Sequence, residues 1–157
     1  RMAVARLDAL ARATQFCTAD VLELASRHPH IKGLRRVPVA LDLIDSGAES
    51  LRESLVRMVL VEEGFPRPET QIPVVRPDGE SHYYLDMGWR WLKIAIEYDG
   101  DHHRADPHEY RRGIIRQEYL QSQGWIVVRV IAGMGRAEIA YRVRQAWAQR
   151  AQLGAAG

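Results

Sequence analysis

The side chains best suited to chemistry are concentrated in one stretch of the chain, from Tyr83 to His103. Asp86 ends one candidate strand, and Glu97 and Asp99 end the next, shortly before His103. Neighbouring carboxylates repel one another and are costly to remove from water unless a cation compensates their charge. A divalent metal ion is the simplest such cation. The pattern therefore predicts a metal site in this stretch.

Simpler interpretations of the same residues stay open. Asp86 could cap a turn at Gly88, and Asp99 could form only a turn with Gly100. Three nearby histidines offer a weaker alternative, a zinc site formed by an acid together with His102, His103 and His108. No cysteine and no regular ligand spacing supports zinc. The joint presence of three acids and a histidine favours the metal site over a set of turns.

Two antiparallel strands must bring the acids together. Asp86 and Glu97 are 97 − 86 = 11 residues apart, and a turn near Gly88 would place both at one end of a hairpin. From residue 48, hydrophobic periodicity predicts the order α-β-β-β-α-β-α. The predicted helices cover 48–64, 105–124 and 137–153, and the predicted strands cover 70–75, 81–88, 91–99 and 125–130. This order predicts an α/β domain of the α+β kind, with helices on both sides of a mixed sheet.

The residues before this domain predict a small helical segment without chemistry of its own. Helices are expected at 5–13, 18–27 and 33–45. Ser46-Gly47 is the predicted boundary, which gives a helical segment at 1–46 and a second domain at 47–157. Because the chain begins with Arg1, we expect that residues of the natural protein precede it.

Composition limits the class of protein and its partners. No apolar run approaches the roughly 20 residues of a membrane span, so no membrane association is expected. The single cysteine, Cys17, excludes an internal disulfide, predicts a cytoplasmic location and is expected to be buried. Of 22 basic residues, only Lys32 and Lys93 are lysine, so 22 − 2 = 20 are arginine. Arginine suits the recognition of phosphate groups.

The motifs resemble those of the restriction-endonuclease-like superfamily, the PD-(D/E)XK nucleases. The matching residues are Gln71, Asp86, the run Glu97-Tyr98-Asp99-Gly100, His103, Asp106, the helix around Arg112 and Arg116, Gly124-Trp125 and Val127-Val128-Arg129. Within the superfamily they are most similar to small domains related to the very-short-patch-repair endonuclease. Many actinobacterial versions are fused to regions resembling AbiEi-type abortive-infection antitoxins. The resemblance implies a restriction-endonuclease-like αβββαβ core.

The resemblance also implies a function and a set of site residues. The implied activity is that of a Mg²⁺-dependent DNA endonuclease or nickase in DNA repair or phage defence, with Mn²⁺ able to substitute. The implied metal ligands are Asp86, Glu97 and Asp99. Gln71 and His103 are further implied catalytic residues, and Glu53 is expected to reach the same site from its helix. The basic residues Arg104, Arg112 and Arg116 after the acidic stretch are expected to bind DNA. The protein could act as a homodimer.

One residue departs from the superfamily pattern. Asp99 stands two residues after Glu97, where a lysine is expected. Lys93 lies four residues before Glu97, which is roughly 13 Å along a strand, too far to replace that lysine. His103 is therefore the best candidate for proton transfer or phosphate stabilisation.

Two other functions compete with the endonuclease. One is a DNA-binding regulator of a toxin–antitoxin system, with a nuclease fold that is weakly active or inactive. The other is a purely structural fusion partner. Salt-sensitive DNA binding without cleavage would identify the regulator, and the absence of both properties would identify the structural partner.

Overall fold

The computed structural model describes residues 1–100 and 107–155. The chain divides into two compact units, Arg1–Leu55 and Val56–Gly157. This division falls inside a helix, whereas the boundary expected at 46/47 precedes that helix. The boundary at 46/47 stays a prediction about where an independently folding piece begins.

The first unit is helical, as predicted. Its helices are α1 (Met2–Thr14), α2 (Thr18–Ser26) and α3 (Val37–Asp42), and a 3-10 turn at Leu34–Arg36 precedes α3. The third helix is shorter than expected, because Gly33 has a φ of 97° and Pro38 stands at the start of α3. Cys17 is exposed, so the prediction of a buried cysteine is wrong. It directly precedes α2, which has no buried residue.

Two side chains of α1 hold the segment that follows α3. The fully buried Asp8 carboxylate accepts a hydrogen bond from the Asp45 N–H group at 2.8 Å. The Arg12 guanidinium donates to the Ala48 carbonyl group. These contacts satisfy backbone groups of a connection that has no regular structure of its own.

The second unit contains a mixed sheet. Its strands are β1 (Glu69–Val75), β2 (His82–Trp89), β3 (Ile94–Asp99) and β4 (Ile126–Ile131). They lie in the order β1-β2-β3-β4; β2 is antiparallel to both β1 and β3, and β4 is parallel to β3. Helix α4 (Leu51–Glu62) precedes the sheet, α5 (Pro107–Ser122) connects β3 to β4, and α6 (Arg136–Ala155) follows β4. The predicted class and element order are confirmed.

Helices cover both faces of the sheet within this unit. On one face, α4 and α6 pack on a cluster that includes Leu60, Ile94, Ile96, Val128 and Val143. On the other face, α5 contributes Leu120 to a cluster with Ile72, Leu85, Ala95 and Trp125. Each fully buried side chain of this size contributes roughly 1.5–3 kcal/mol of transfer free energy. Within the two described ranges, no helix is both long and apolar enough to cross a bilayer.

The turn between β2 and β3 lies later than predicted. Strand β2 continues through Gly88, a 3-10 turn covers Arg90–Leu92, and Lys93, with a φ of 48°, precedes β3. The predictions of a turn near Gly88 and of Lys93 within the strand are therefore wrong. Gly88 pairs with Ala95, and a Cβ atom at residue 88 would lie 2.9 Å from the Ala95 Cα atom. Glycine is needed here for close approach of two backbones.

The variant Gly88→Ala should therefore be destabilised by about 1–3 kcal/mol, because the added methyl group has no space between β2 and β3. Urea denaturation would measure the change. Gly113→Ala is a matched control, since Gly113 lies in α5 with nothing within 4 Å of an added Cβ atom. That variant should gain up to about 1 kcal/mol from helix propensity. Equal stability of the two variants would contradict the close-approach explanation.

An ion cluster joins the end of α4 to α6. The Glu63 carboxylate accepts hydrogen bonds from Arg136 Nε at 2.5 Å and from Arg144 Nη2 at 2.7 Å. Arg136 also contacts Glu62 Oε2 at 3.1 Å. The hydrogen bond from Arg136, followed by that from Arg144, lowers the pKa of Glu63 below its ordinary value.

This lowered pKa gives a pH-dependent contribution to stability. A carboxyl group with a depressed pKa in the folded state stabilises the fold above its unfolded pKa, and the contribution is lost as the pH falls through the folded pKa. Glu63→Gln should lower the Tm at pH 7, and the difference from wild type should shrink on acidification below pH 4.5. Thermal melts across this range test it. Glu138→Gln, which removes an exposed pair with Arg142, should change the Tm little.

Candidate metal and phosphate site

Three predicted site residues occupy one transverse row of the sheet. Asp86 and Glu97 lie one position beyond the paired residues Met87 and Ile96, so they are neighbours across β2 and β3. Gln71 lies on β1 opposite Asp86, because Thr70 pairs with Met87 and Ile72 pairs with Leu85. The antiparallel register thus brings together residues that are distant in the sequence.

The sheet is irregular at this row. Leu85 belongs to the cluster under α5, whereas Met87 belongs to the cluster under α4 and α6, although the two are two positions apart along β2. Regular alternation would put both on one face. On β1, Gln71 has a φ of 49°, in the left-handed region that a non-glycine residue uses infrequently. Local distortions of this kind redirect side chains, and they recur next to functional sites.

Asp86 is fixed by the backbone of β3. Its Oδ2 atom accepts a hydrogen bond from the Tyr98 N–H group at 2.8 Å. The paired residues of β2 and β3 run from Trp89 and Ile94 to Met87 and Ile96, and one position further this side chain supplies an acceptor for β3.

Glu97 faces α5 and contacts Arg116. Arg116 Nη2 lies 2.5 Å from Glu97 Oε1 and donates to the Tyr84 carbonyl oxygen at 2.7 Å. The Glu97 side chain is 15% exposed and that of Arg116 is 32% exposed, so water screens the pair only in part. The predicted phosphate-binding residue Arg116 is therefore a counter-ion of the predicted metal ligand Glu97.

Burial dominates the electrostatics of Glu97. Desolvation raises the pKa of Glu97 above its ordinary value, and the negative charge of Asp99 raises it further. The positive charges of Arg116 and Arg129 act in the opposite direction without cancelling the effect. Asp99 points to the same face two residues further along β3, with Arg129 Nη1 at 3.9 Å from its Oδ2 atom. The anionic form of Glu97 is thus incompletely compensated by these side chains.

Tyr83 is a residue of this region that sequence reasoning missed. Two guanidinium groups lie over its ring, with Arg76 at 4.5 Å and Arg116 at 5.6 Å from the ring centroid. Tyr119 of α5 packs against the same ring at 6.0 Å. The only sequence signal was an aromatic residue three positions before Asp86 on the same strand, which many structural tyrosines would share.

Glu53 has a local role at the start of α4. Its Oε2 atom accepts a hydrogen bond from the Glu49 N–H group at 2.8 Å, while the Glu53 N–H group donates to Ser50 Oγ at 3.1 Å. This reciprocal arrangement caps a helix N-terminus. Glu53 belongs to the first unit and the row of site residues to the second. A catalytic role for Glu53 stays a prediction.

The remaining residues considered in the sequence analysis have separate outcomes. His103 and Arg104 lie outside the described residues. Arg112 is exposed on α5, one turn before Arg116. Lys93 Nζ donates to the Gln123 carbonyl group at 2.9 Å, so its amine is engaged at the end of α5. Within residues 1–100 and 107–155, no three His, Cys, Asp or Glu side chains are grouped so that they could hold a metal ion.

Comparisons with known proteins give relatives but no family. The chain is 30% identical over 129 residues to two proteins of Mycobacterium tuberculosis, uncharacterized protein MT2308 of strain CDC 1551 / Oshkosh and uncharacterized protein Rv2248 of strain ATCC 25618 / H37Rv. The match covers 82% of this chain and 47% of each relative, so the chain spans about half of their length. No family model matches the chain, and no solved structure is significantly similar to it.

The hydrogen bond between Asp86 and Tyr98 can be tested separately from any chemistry. Asp86→Ala removes the acceptor and should cost about 1–3 kcal/mol in unfolding free energy, because the Tyr98 N–H group loses its partner. Asp86→Asn keeps an oxygen in place and should cost less than half as much. Amide hydrogen exchange at Tyr98 should accelerate only in Asp86→Ala. Unchanged exchange in both variants would refute the anchoring role.

Proposed function

We propose that the protein is a Mg²⁺-dependent DNA endonuclease or nickase that hydrolyses phosphodiester bonds in the cytoplasm, in DNA repair or phage defence. The observation that carries the proposal is the adjacency of Asp86 and Glu97 on neighbouring strands, one position beyond the pair of Met87 and Ile96. The α-β-β-β-α-β-α order of elements is compatible with the restriction-endonuclease-like core implied by the motifs. The activity and the specific core are both part of the proposal.

The residues fit a hard divalent cation in their chemistry. Mg²⁺ is usually bound by only one or two carboxylates, together with water and substrate phosphate oxygens, so a group of three acidic ligands is not required. The raised pKa of Glu97 reflects a desolvated carboxylate that a cation would stabilise in its charged form. Asp86 and Glu97 would hold the ion, with Asp99 beside them. Bound Mg²⁺ supplies charge neutralisation at phosphate and an activated water molecule.

The protein's own residues have distinct parts in this proposal. Asp86 keeps one oxygen on the Tyr98 N–H group, which fixes the position of its other oxygen. Gln71, in the same row, is suited to orient water or phosphate through its amide. His103 remains the proposed group for proton transfer. Arg112, exposed on α5, is suited to bind the DNA backbone together with Arg104.

A plasmid assay tests the proposed activity. Supercoiled DNA incubated with the protein and Mg²⁺ or Mn²⁺ should be nicked or linearised, and chelation of the metal should abolish the reaction. Asp86→Asn and Glu97→Gln should each reduce the rate by a factor of about 100 or more, since each removes a charged group from the site.

Glu118→Gln is the matched control, because Glu118 is an exposed carboxylate on α5. It should cleave at the wild-type rate. The proposal is wrong if wild type and both site variants cleave equally, or if none of them cleaves with either metal.

A second function is favoured by one specific contact. The ion pair between Arg116 and Glu97 occupies a carboxylate that a nuclease would use for its metal, and Asp99 stands where the superfamily has lysine. Both features would suit a DNA-binding regulator of the toxin–antitoxin kind with little or no cleavage. Such a protein would bind duplex DNA with an affinity that falls steeply with salt, and Asp86→Asn would leave that affinity unchanged.

A further inference from the structure

The Arg116 guanidinium group is bound by groups of two neighbouring strands, β2 and β3. Its Nη2 atom joins Glu97 Oε1 on β3 to the Tyr84 carbonyl oxygen on β2, at 2.5 and 2.7 Å. The ring of Tyr83 lies 5.6 Å from the guanidinium carbon. A guanidinium with three partners from the strands that carry Asp86 and Glu97 is part of the site, although it comes from α5.

The hydrogen bonding of the Arg116 guanidinium group is incomplete. Arg116 Nε is buried and has no hydrogen-bond partner among the described residues. A buried donor without an acceptor carries a desolvation cost that the guanidinium would recover by moving to a place where all its donors are satisfied. A phosphate group offers such a place, because its oxygens match the forked donors of arginine.

The Arg116 guanidinium group and a divalent metal ion would each weaken the other's binding to the Glu97 carboxylate. The positive charge of Arg116 at 2.5 Å from Oε1 would repel an incoming divalent ion and already uses one oxygen. The side chain is 32% exposed and sits on a long flexible stem, so it can leave without unfolding α5.

We propose that Arg116 is the resident counter-ion of Glu97, that it competes with the metal for this carboxylate, and that its release makes the guanidinium available to a DNA phosphate. This inference rests on the proposed metal-dependent function. Under it, Arg116 sets the metal affinity of the site, and metal occupancy is coupled to phosphate binding by α5.

Metal titration of variants tests the competition directly. Isothermal titration with Mn²⁺ should show that Arg116→Gln binds about tenfold more tightly than wild type, because a charge-assisted hydrogen bond no longer opposes binding. Arg111→Gln is the matched control, since it removes the same charge from an exposed position on α5. Arg111→Gln should bind Mn²⁺ within about twofold of wild type, which separates local competition from general electrostatics. Asp86→Asn should bind weakly or not at all.

The outcomes separate this inference from the proposed function. Mn²⁺ binding by wild type that is lost in Asp86→Asn but is unchanged or weakened in Arg116→Gln overturns the competition and leaves the metal site standing. Absence of Mn²⁺ binding in every variant overturns both.

A measurement on the wild-type protein covers the case in which Arg116→Gln does not fold. The buried Arg116 Nε–H group should give a slowly exchanging NMR signal that loses protection when Mg²⁺ saturates the site. A signal that keeps its position and protection at saturation overturns the release of Arg116.

Discussion

The hydrogen bond from the Tyr98 N–H group to the Asp86 carboxylate is the contact on which the candidate site depends. It lies beyond the pair of Met87 and Ile96 in the β2–β3 ladder and supplies an acceptor to a partly buried backbone donor. Since such donors are rarely left without a partner, the acid at position 86 is structurally useful before any ligand is considered. The same contact holds β2 beside the segment of β3 from which Glu97 faces Arg116.

The periodic parts of the fold were readable from the sequence. Apolar residues alternate along β3, and the structure places Ile94 and Ile96 in one hydrophobic cluster and Ala95 in the other. On α6, Ile139, Val143 and Trp147 recur at helical spacing and pack inward. Such elements can be predicted because burial of apolar side chains, the dominant stabilising term, leaves a local periodic pattern in the sequence.

The aperiodic parts were not readable in the same way. If Asp86 faces Glu97, the midpoint between them falls between Trp91 and Leu92, which is where the turn lies. Gly88 was a misleading turn signal, because glycine occurs in turns and also where two backbones approach closely. The ion pair of Arg116 with Glu97 joins residues 19 positions apart and depends on how α5 lies on the sheet. Local sequence carries no signal for such a contact. The sequence also gives no signal for the exchange of faces, by which Leu85 and Met87 contribute to clusters on opposite faces of the sheet.

That exchange of faces has a mechanical consequence. The outer half of the β1–β2 hairpin, with Ile72 and Leu85, is attached to α5 through a shared hydrophobic cluster. The hydroxyl group of Tyr119 on α5 strengthens the attachment by donating to the Val75 carbonyl oxygen at 2.8 Å. The inner half of β2 is attached instead to α4 and α6. A force that displaces α5 would therefore act on the outer half of the hairpin, and the row of Gln71 and Asp86 is where the attachment to α5 gives way to the attachment to α4 and α6.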